Sequence, residues 1–172
     1  MFKRIKLRMQ DMKTISQLIS GAEEYAHGRG EEEVGAEHLL LSALALSDGS
    51  ARRVFERAGV DPDKLQAAID KQYCDALNVM GIDGVSFDDD PEPIKPTKLF
   101  RNAKPSGQAT LKALYALKQK DKDMPLLGAH VVAVVANMEH GVAARALRTM
   151  GVNQQHLAEA VKEELELFCN EE

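Results

Sequence analysis

The sequence predicts an all-α fold: two four-helix repeats, related by an approximate two-fold, forming one compact eight-helix domain. Three observations carry this. Ala, Leu, Met, Glu, Lys and Gln are plentiful while aromatics are 5% of residues and Trp is absent, a mixture that favours helices over sheets. Apolar residues recur at helical spacing in segment after segment. The second half of the chain also repeats the first at a fixed offset of 92 residues.

The elements follow in order. Met12, Ile15, Leu18, Ile19 and Ala22 set a helix over 9–27, stopped by Gly28 and Gly30. The preceding MFKRIKLRMQ, with Lys3, Arg4, Lys6 and Arg8, is expected to be a solvated lead-in strand or turn, with an acidic surface as the rival use of its charges. A second helix runs from Ala36 to about Leu46, broken at SDG. A third covers Ser50–Ala58 and ends at Gly59, a natural helix-terminating residue. Asp61 and Pro62 then suit the N-cap and first position of a fourth helix, continuing to about Ala76.

The texture changes at 78–105, where Gly81, Gly84, four prolines, the run Asp88–Asp90 and the cations Lys95, Lys98, Arg101 and Lys104 crowd together. It reads as a linker, with a short extended piece around Val85–Phe87. Repeats are therefore expected at 1–77 and 106–172. Helical spacing resumes after Ser106 with Ala109, Leu111, Leu114, Tyr115 and Leu117, and breaks at Asp121–Pro125. The β-branched run HVVAVVA alone would suggest a strand. Segments at Gly141–Met150 and Asn153–Phe168 complete the set.

The offset decides the ambiguous run. GSARRVFERAGVDPDKLQAAI falls without a gap on GVAARALRTMGVNQQHLAEAV, matching Gly49/Gly141, Ala51/Ala143, Arg53/Arg145, Gly59/Gly151, Val60/Val152, Leu65/Leu157 and Ala68/Ala160. Asp61/Asn153 exchanges one N-cap for another. Turn glycines, caps and core positions agree together. Because VGAEHLLLSAL and LGAHVVAVVAN hold equivalent places, the Val-rich run is expected to be a buried helix, burial outweighing propensity.

Composition narrows the function. A net charge of −5 argues against nucleic acid, whose phosphates need a concentrated positive field. No apolar stretch is long enough to cross a membrane. The two cysteines, Cys74 and Cys169, form no close-spaced motif, as in a reduced, cytoplasmic protein. The five histidines are scattered, so no metal set is expected. No phosphate-binding G-x-x-x-x-G-K-[ST] loop, G-x-S-x-G, H-E-x-x-H or G-x-G-x-x-G occurs, and no catalytic residue or cofactor is expected.

The doubled order of a Gly-x-Glu-His-Leu-Leu-Leu phrase, a GSARRVF helix and GVDPDKL resembles the N-terminal domain of the Clp unfoldases, as in ClpA, ClpB and ClpC. The resemblance spans about 9–165. It implies a protein-binding module without its own ATPase, in regulated proteolysis or protein quality control. Its partners would be a Clp-type ATPase, a peptidase, an adaptor protein or an unfolded substrate peptide. It also implies a pocket for phosphorylated arginine, using the glutamate of a Gly-Thr-Glu-His motif through paired, charge-assisted hydrogen bonds.

Glu37 and His38 match that acid and imidazole, with Ala36 in place of Thr. In the second half Gly128-Ala129-His130 reads as one residue shorter and lacks the glutamate. Glu37, His38 and His130 are thus the candidate peptide- or phosphoarginine-binding residues. A structural role stands beside this for each: Glu37 complementing a helix N-terminus, the histidines satisfying buried backbone groups. A helical scaffold or regulator unrelated to Clp is the alternative.

Overall fold

The structure, a computed structural model, describes residues 2–81 and 103–171. Eight α-helices occur among the described residues: α1 Phe2–His27, α2 Ala36–Ala45, α3 Ser50–Arg57, α4 Leu65–Val79, α5 Pro105–Lys120, α6 Gly128–Ala136, α7 Val142–Thr149 and α8 Gln154–Glu171. No strand is present among those residues; a single parallel bridge joins Val34 to Ala103. Most of the expected linker, with its acidic run, extended piece and the cations up to Arg101, lies outside the described residues.

The centre is built from α2 and α6, which pack on each other. Nine residues of α2 are buried, and in α6 every residue but Ala133. The Val-rich run is helical, as the repeat requires. Each of Val131, Val132, Val134 and Val135 is at most 8% exposed. Burying a Val side chain contributes about 1.5 kcal/mol or more, against a helix-propensity penalty below about 0.7 kcal/mol. Burial wins.

Equivalent pieces carry equivalent ends. Helices α3 and α7 both have eight residues and start 92 apart. Gly59 and Gly151 both take φ 72°, the left-handed turn that closes a helix. The following residues complete it: Val60 N donates to Phe55 O at 2.9 Å and Val152 N to Leu147 O at 3.0 Å. Asp61 then accepts from Asp63 N, leading into a 3-10 turn over Pro62–Lys64, while Asn153 accepts from Gln155 N and His156 N.

Contacts between the repeats are reciprocal, as a two-fold demands. Helix α3 packs on α8, and its counterpart α7 packs on α4, the counterpart of α8. Arg57 Nε donates to Glu164 Oε2 at 3.1 Å; at the equivalent positions Gln72 Nε2 donates to Thr149 Oγ1 at 2.8 Å. The first repeat also caps the second. Asp48 and Ser50 accept from the backbone N–H groups of Gly128 and Ala129, which begin α6.

Two expectations fail. The N-terminal segment is not a strand or turn, because α1 begins at Phe2. Lys and Arg are good helix formers, Leu7 is buried, and Asp11 is tied down by Leu126 N–H at 2.7 Å and Lys118 Nζ at 3.2 Å. Nor is the second Gly-Ala-His phrase shortened. His38 and His130 lie 92 apart at the third position of α2 and α6, so Ala129 stands where Glu37 stands. The missing residue belongs to the preceding loop, 28–35 in one repeat and 121–127 in the other.

Candidate functional site

Two histidines open the two central helices in the same way. His38 Nδ1 accepts the Gly35 N–H and His130 Nδ1 accepts the Leu127 N–H, each at 3.0 Å. Each imidazole thus satisfies a backbone donor that the start of a helix would otherwise leave bare. Both rings are buried. Burial pushes His130 below the usual imidazole range, with the nearby Lys118 charge acting in the same sense.

Glu37 is 1% exposed, yet its carboxylate is well supplied. Oε1 accepts from Tyr73 Oη at 2.7 Å and from Lys104 Nζ at 3.2 Å. Lys104 also binds Glu31, and Tyr73 Oη lies 3.2 Å from Glu31 Oε2. His38 Nε2 lies 3.5 Å from Glu31 Oε1. Arg29 closes the cluster: it pairs with Asp70, approaches Glu31 Oε1 at 3.4 Å and stacks 4.3 Å above the Tyr73 ring.

The chain positions these groups from four segments. Glu37 comes from the first turn of α2, Tyr73 from α4, and Glu31 and Arg29 from the α1–α2 loop. Lys104 is placed by the Val34–Ala103 bridge, its own N–H donating to Val34 O at 2.9 Å. Gly107 lets α5 come this close. A Cβ there would sit 2.3 Å from Val34 O.

The electrostatics are those of mutual neutralisation. Burial opposes ionisation of Glu31, but the neighbouring His38 imidazole and the Lys104 ammonium overcome it and hold its carboxyl at about 2. Lys104 is held above the usual ammonium range: burial disfavours its charge, and the Glu31 and Glu37 carboxylates outweigh that. Burial and then the Glu37 charge raise the Tyr73 phenol. Donor atoms of Glu31, Glu37 and His38 fall within 4.8 Å of one another, the proximity a metal ion would need. The Lys104 ammonium already bonds both carboxylates and supplies the positive charge there.

Of the three residues expected from sequence, Glu37 and His38 meet in this cluster. His130 does not join them; it holds the equivalent position in the second repeat, among the charges of Lys118, Asp121 and Asp48. Sequence reading missed Glu31, Tyr73, Lys104, Arg29 and Asp70. No local spacing announces them, since Tyr73 and Lys104 reach Glu37 across 36 and 67 positions.

Among the described residues the second repeat has nothing like this cluster. At the places of Glu37, Asp70 and Tyr73 it carries Ala129, Lys162 and Leu165. The face of α8 equivalent to the Tyr73 face of α4 borders an open cleft of about 620 Å³, lined by Met124, Val161, Leu165 and Cys169 together with the charged Asp121, Lys162 and Glu166. One repeat fills the position with a tyrosine held among paired charges; the other places a leucine there, beside an open cleft.

Known proteins share this architecture. Residues 13–87 match the family model described as the Clp repeat (R) N-terminal domain. A chain solved in preliminary structural investigations of a malarial protein secretion system is 18% identical with a TM-score of 0.57, the match covering 89% of this chain and 92% of that one. The N-terminal domain of the caseinolytic protease associated chaperone ClpD from Arabidopsis thaliana is 19% identical with a TM-score of 0.54, covering 91% and 92%. At such identities the structural likeness speaks for the fold. The family match falls on the first repeat and the residues just after it, so this part of the chain carries a Clp repeat, and the 92-residue equivalences carry the same pattern through the second.

Proposed function

We propose that the protein is a recognition module that binds an adaptor, a substrate segment or a component of a Clp machine, and performs no ATP chemistry of its own. The observation that carries this is the open cleft on the second repeat. A mostly apolar concavity of about 620 Å³ beside a helix is suited to take side chains from another chain. Leu165, at the position where Tyr73 closes the first repeat, is among the residues that line it.

Affinity capture from cell extract tests the reading. The native protein is expected to recover a Clp ATPase, its peptidase or an adaptor, and Leu165→Glu and Cys169→Glu, the latter at an exposed position, to lose that partner, thermal melts checking that each variant still folds. Recovery of no Clp component by the native protein would sink it.

Phosphoarginine recognition by Glu37 is the narrower form of the proposal. A guanidinium would have to displace the Lys104 ammonium, since both compete for the same carboxylate oxygens. Titration with free phosphoarginine decides it: saturable binding lost in Glu37→Ala supports the exchange, and no binding by the native protein retires it.

A further inference from the structure

A second concavity lies between the first turns of α1 and the end of α5. It measures about 340 Å³ and is lined by Arg4, Leu7, Arg8, Asp11, Lys118 and Lys122. Its inner wall is already neutral: Asp11 pairs with Lys118 at 3.2 Å and accepts the Leu126 N–H. Arg4, Arg8 and Lys122 are different. All three are exposed and have no ion pair or hydrogen bond among the described residues. Three cations without a partner among the described residues thus line one cleft in a chain of net charge −5.

The surface beside the cleft is apolar. Ile5, Met9 and Met12 are 53%, 68% and 71% exposed, and their spacing places them in one stripe along α1, next to Arg4 and Arg8. Spacing of this kind presents anchors to a partner, and methionine adapts to varied contacts.

We propose that this cleft docks an acidic segment of a partner protein. Carboxylates of the segment would pair with Arg4, Arg8 and Lys122, and an apolar side chain would cover the Ile5–Met9–Met12 stripe. The inference deepens the recognition reading and rests on it, naming a second surface and the partner's chemistry. An anionic membrane offers the same charge. A lipid surface is flat, however, and Lys122 faces a concavity between two helices; a polypeptide segment can enter it. Single arginine forks also suit carboxylates, which accept paired hydrogen bonds.

The probe is a fluorescein-labelled peptide alternating Glu and Leu, titrated with the full chain and followed by anisotropy. The native protein is expected to bind it saturably, more weakly as salt shortens the Debye length from about 10 Å at 0.1 M to about 3 Å at 1 M. Arg4→Glu/Arg8→Glu and Lys122→Glu should each weaken binding about tenfold, and Lys71→Glu, on α4, should leave it unchanged. Acid near the start of α1 complements the helix dipole, so the double variant should still fold, and thermal melts check this.

No saturable binding, equal binding by the reversed variants, or tighter binding to phosphatidylserine vesicles than to the peptide would overturn the proposal. The two readings fail differently. If native and Arg4→Glu/Arg8→Glu proteins capture the same Clp component and bind the peptide alike, recognition stands and this cleft falls. If the peptide binds with the expected variant pattern but no Clp component is captured, the cleft stands and the Clp partnership falls.

Discussion

Glu164 of α8 holds Arg57 of α3 across the boundary between the repeats, Oε2 and Nε 3.1 Å apart. The same carboxylate accepts from Arg53 Nε at 2.6 Å. Glu164 is 4% exposed while both arginines are partly solvated. The asymmetry sets the cost of breaking the link. Arg53→Ala/Arg57→Ala strands a buried carboxylate and should destabilise by about 3 kcal/mol. Glu164→Gln leaves two arginines that water can solvate and should cost about 1 kcal/mol. Urea unfolding of the variants checks the order; a larger loss in Glu164→Gln would contradict it.

Lys104 and Glu37 form the corresponding test inside the first repeat. Lys104→Met removes the ammonium that serves two carboxylates and should destabilise by about 2–3 kcal/mol. Glu37→Gln keeps an oxygen for the Tyr73 hydroxyl and should cost about 1 kcal/mol. The double variant should be more stable than the sum of the two losses implies, because the pair fails together. Additive losses in a double-mutant cycle would show that the contact contributes nothing.

Stability should be flat near neutrality and fall on both sides. The folded Glu31 carboxyl is held at about 2 against an ordinary 4.5, so its contribution is complete above 4.5 and is lost as pH falls toward 2. The folded His130 is depressed below 6.5, so its contribution too is complete above 6.5 and begins to disappear below it. Tyr73 is raised above 10, which reverses the sense: its contribution is complete below 10 and lost above. Lys104 behaves likewise above 10.5. Urea midpoints followed across pH should show this plateau, and Tyr73→Phe should soften the alkaline fall. Midpoints that rise below pH 6 would contradict the assignment.

Gly107→Ala should be disproportionately harmful for the addition of one methyl group. Its Cβ would meet a backbone oxygen, Val34 O, which has no rotamer to change. Helix α5 must then retreat from Val34, taking with it the Lys104 N–H bond and the ammonium at Glu37. We expect a loss of about 2 kcal/mol in thermal or urea unfolding. Gln108→Ala, one residue on and exposed, should cost far less in the same melts.

The parts legible in the sequence are those written locally. Gly59 and Gly151, Asp61 and Asn153, and the apolar spacing of α3 and α7 each act within a few residues, and the repeat confirms one copy by the other. Even the valines of α6 were readable, since Leu39–Leu41 at the matching position needed a buried helix. The start of α1 was not, because Asp11 is held by α5 and the loop after it, more than a hundred positions away. The cluster around Glu37 was half-visible for the same reason. The acid and its histidine are adjacent in sequence, whereas the tyrosine and lysine that engage the acid arrive through folding.

A homodimer built on a two-fold axis must display any patch twice, so a change that suits one copy is imposed on the other. Covalent fusion removes that obligation. Position 73 is a tyrosine locked among acids while position 165 is a leucine bordering open space, so each half can carry a surface that the other does not.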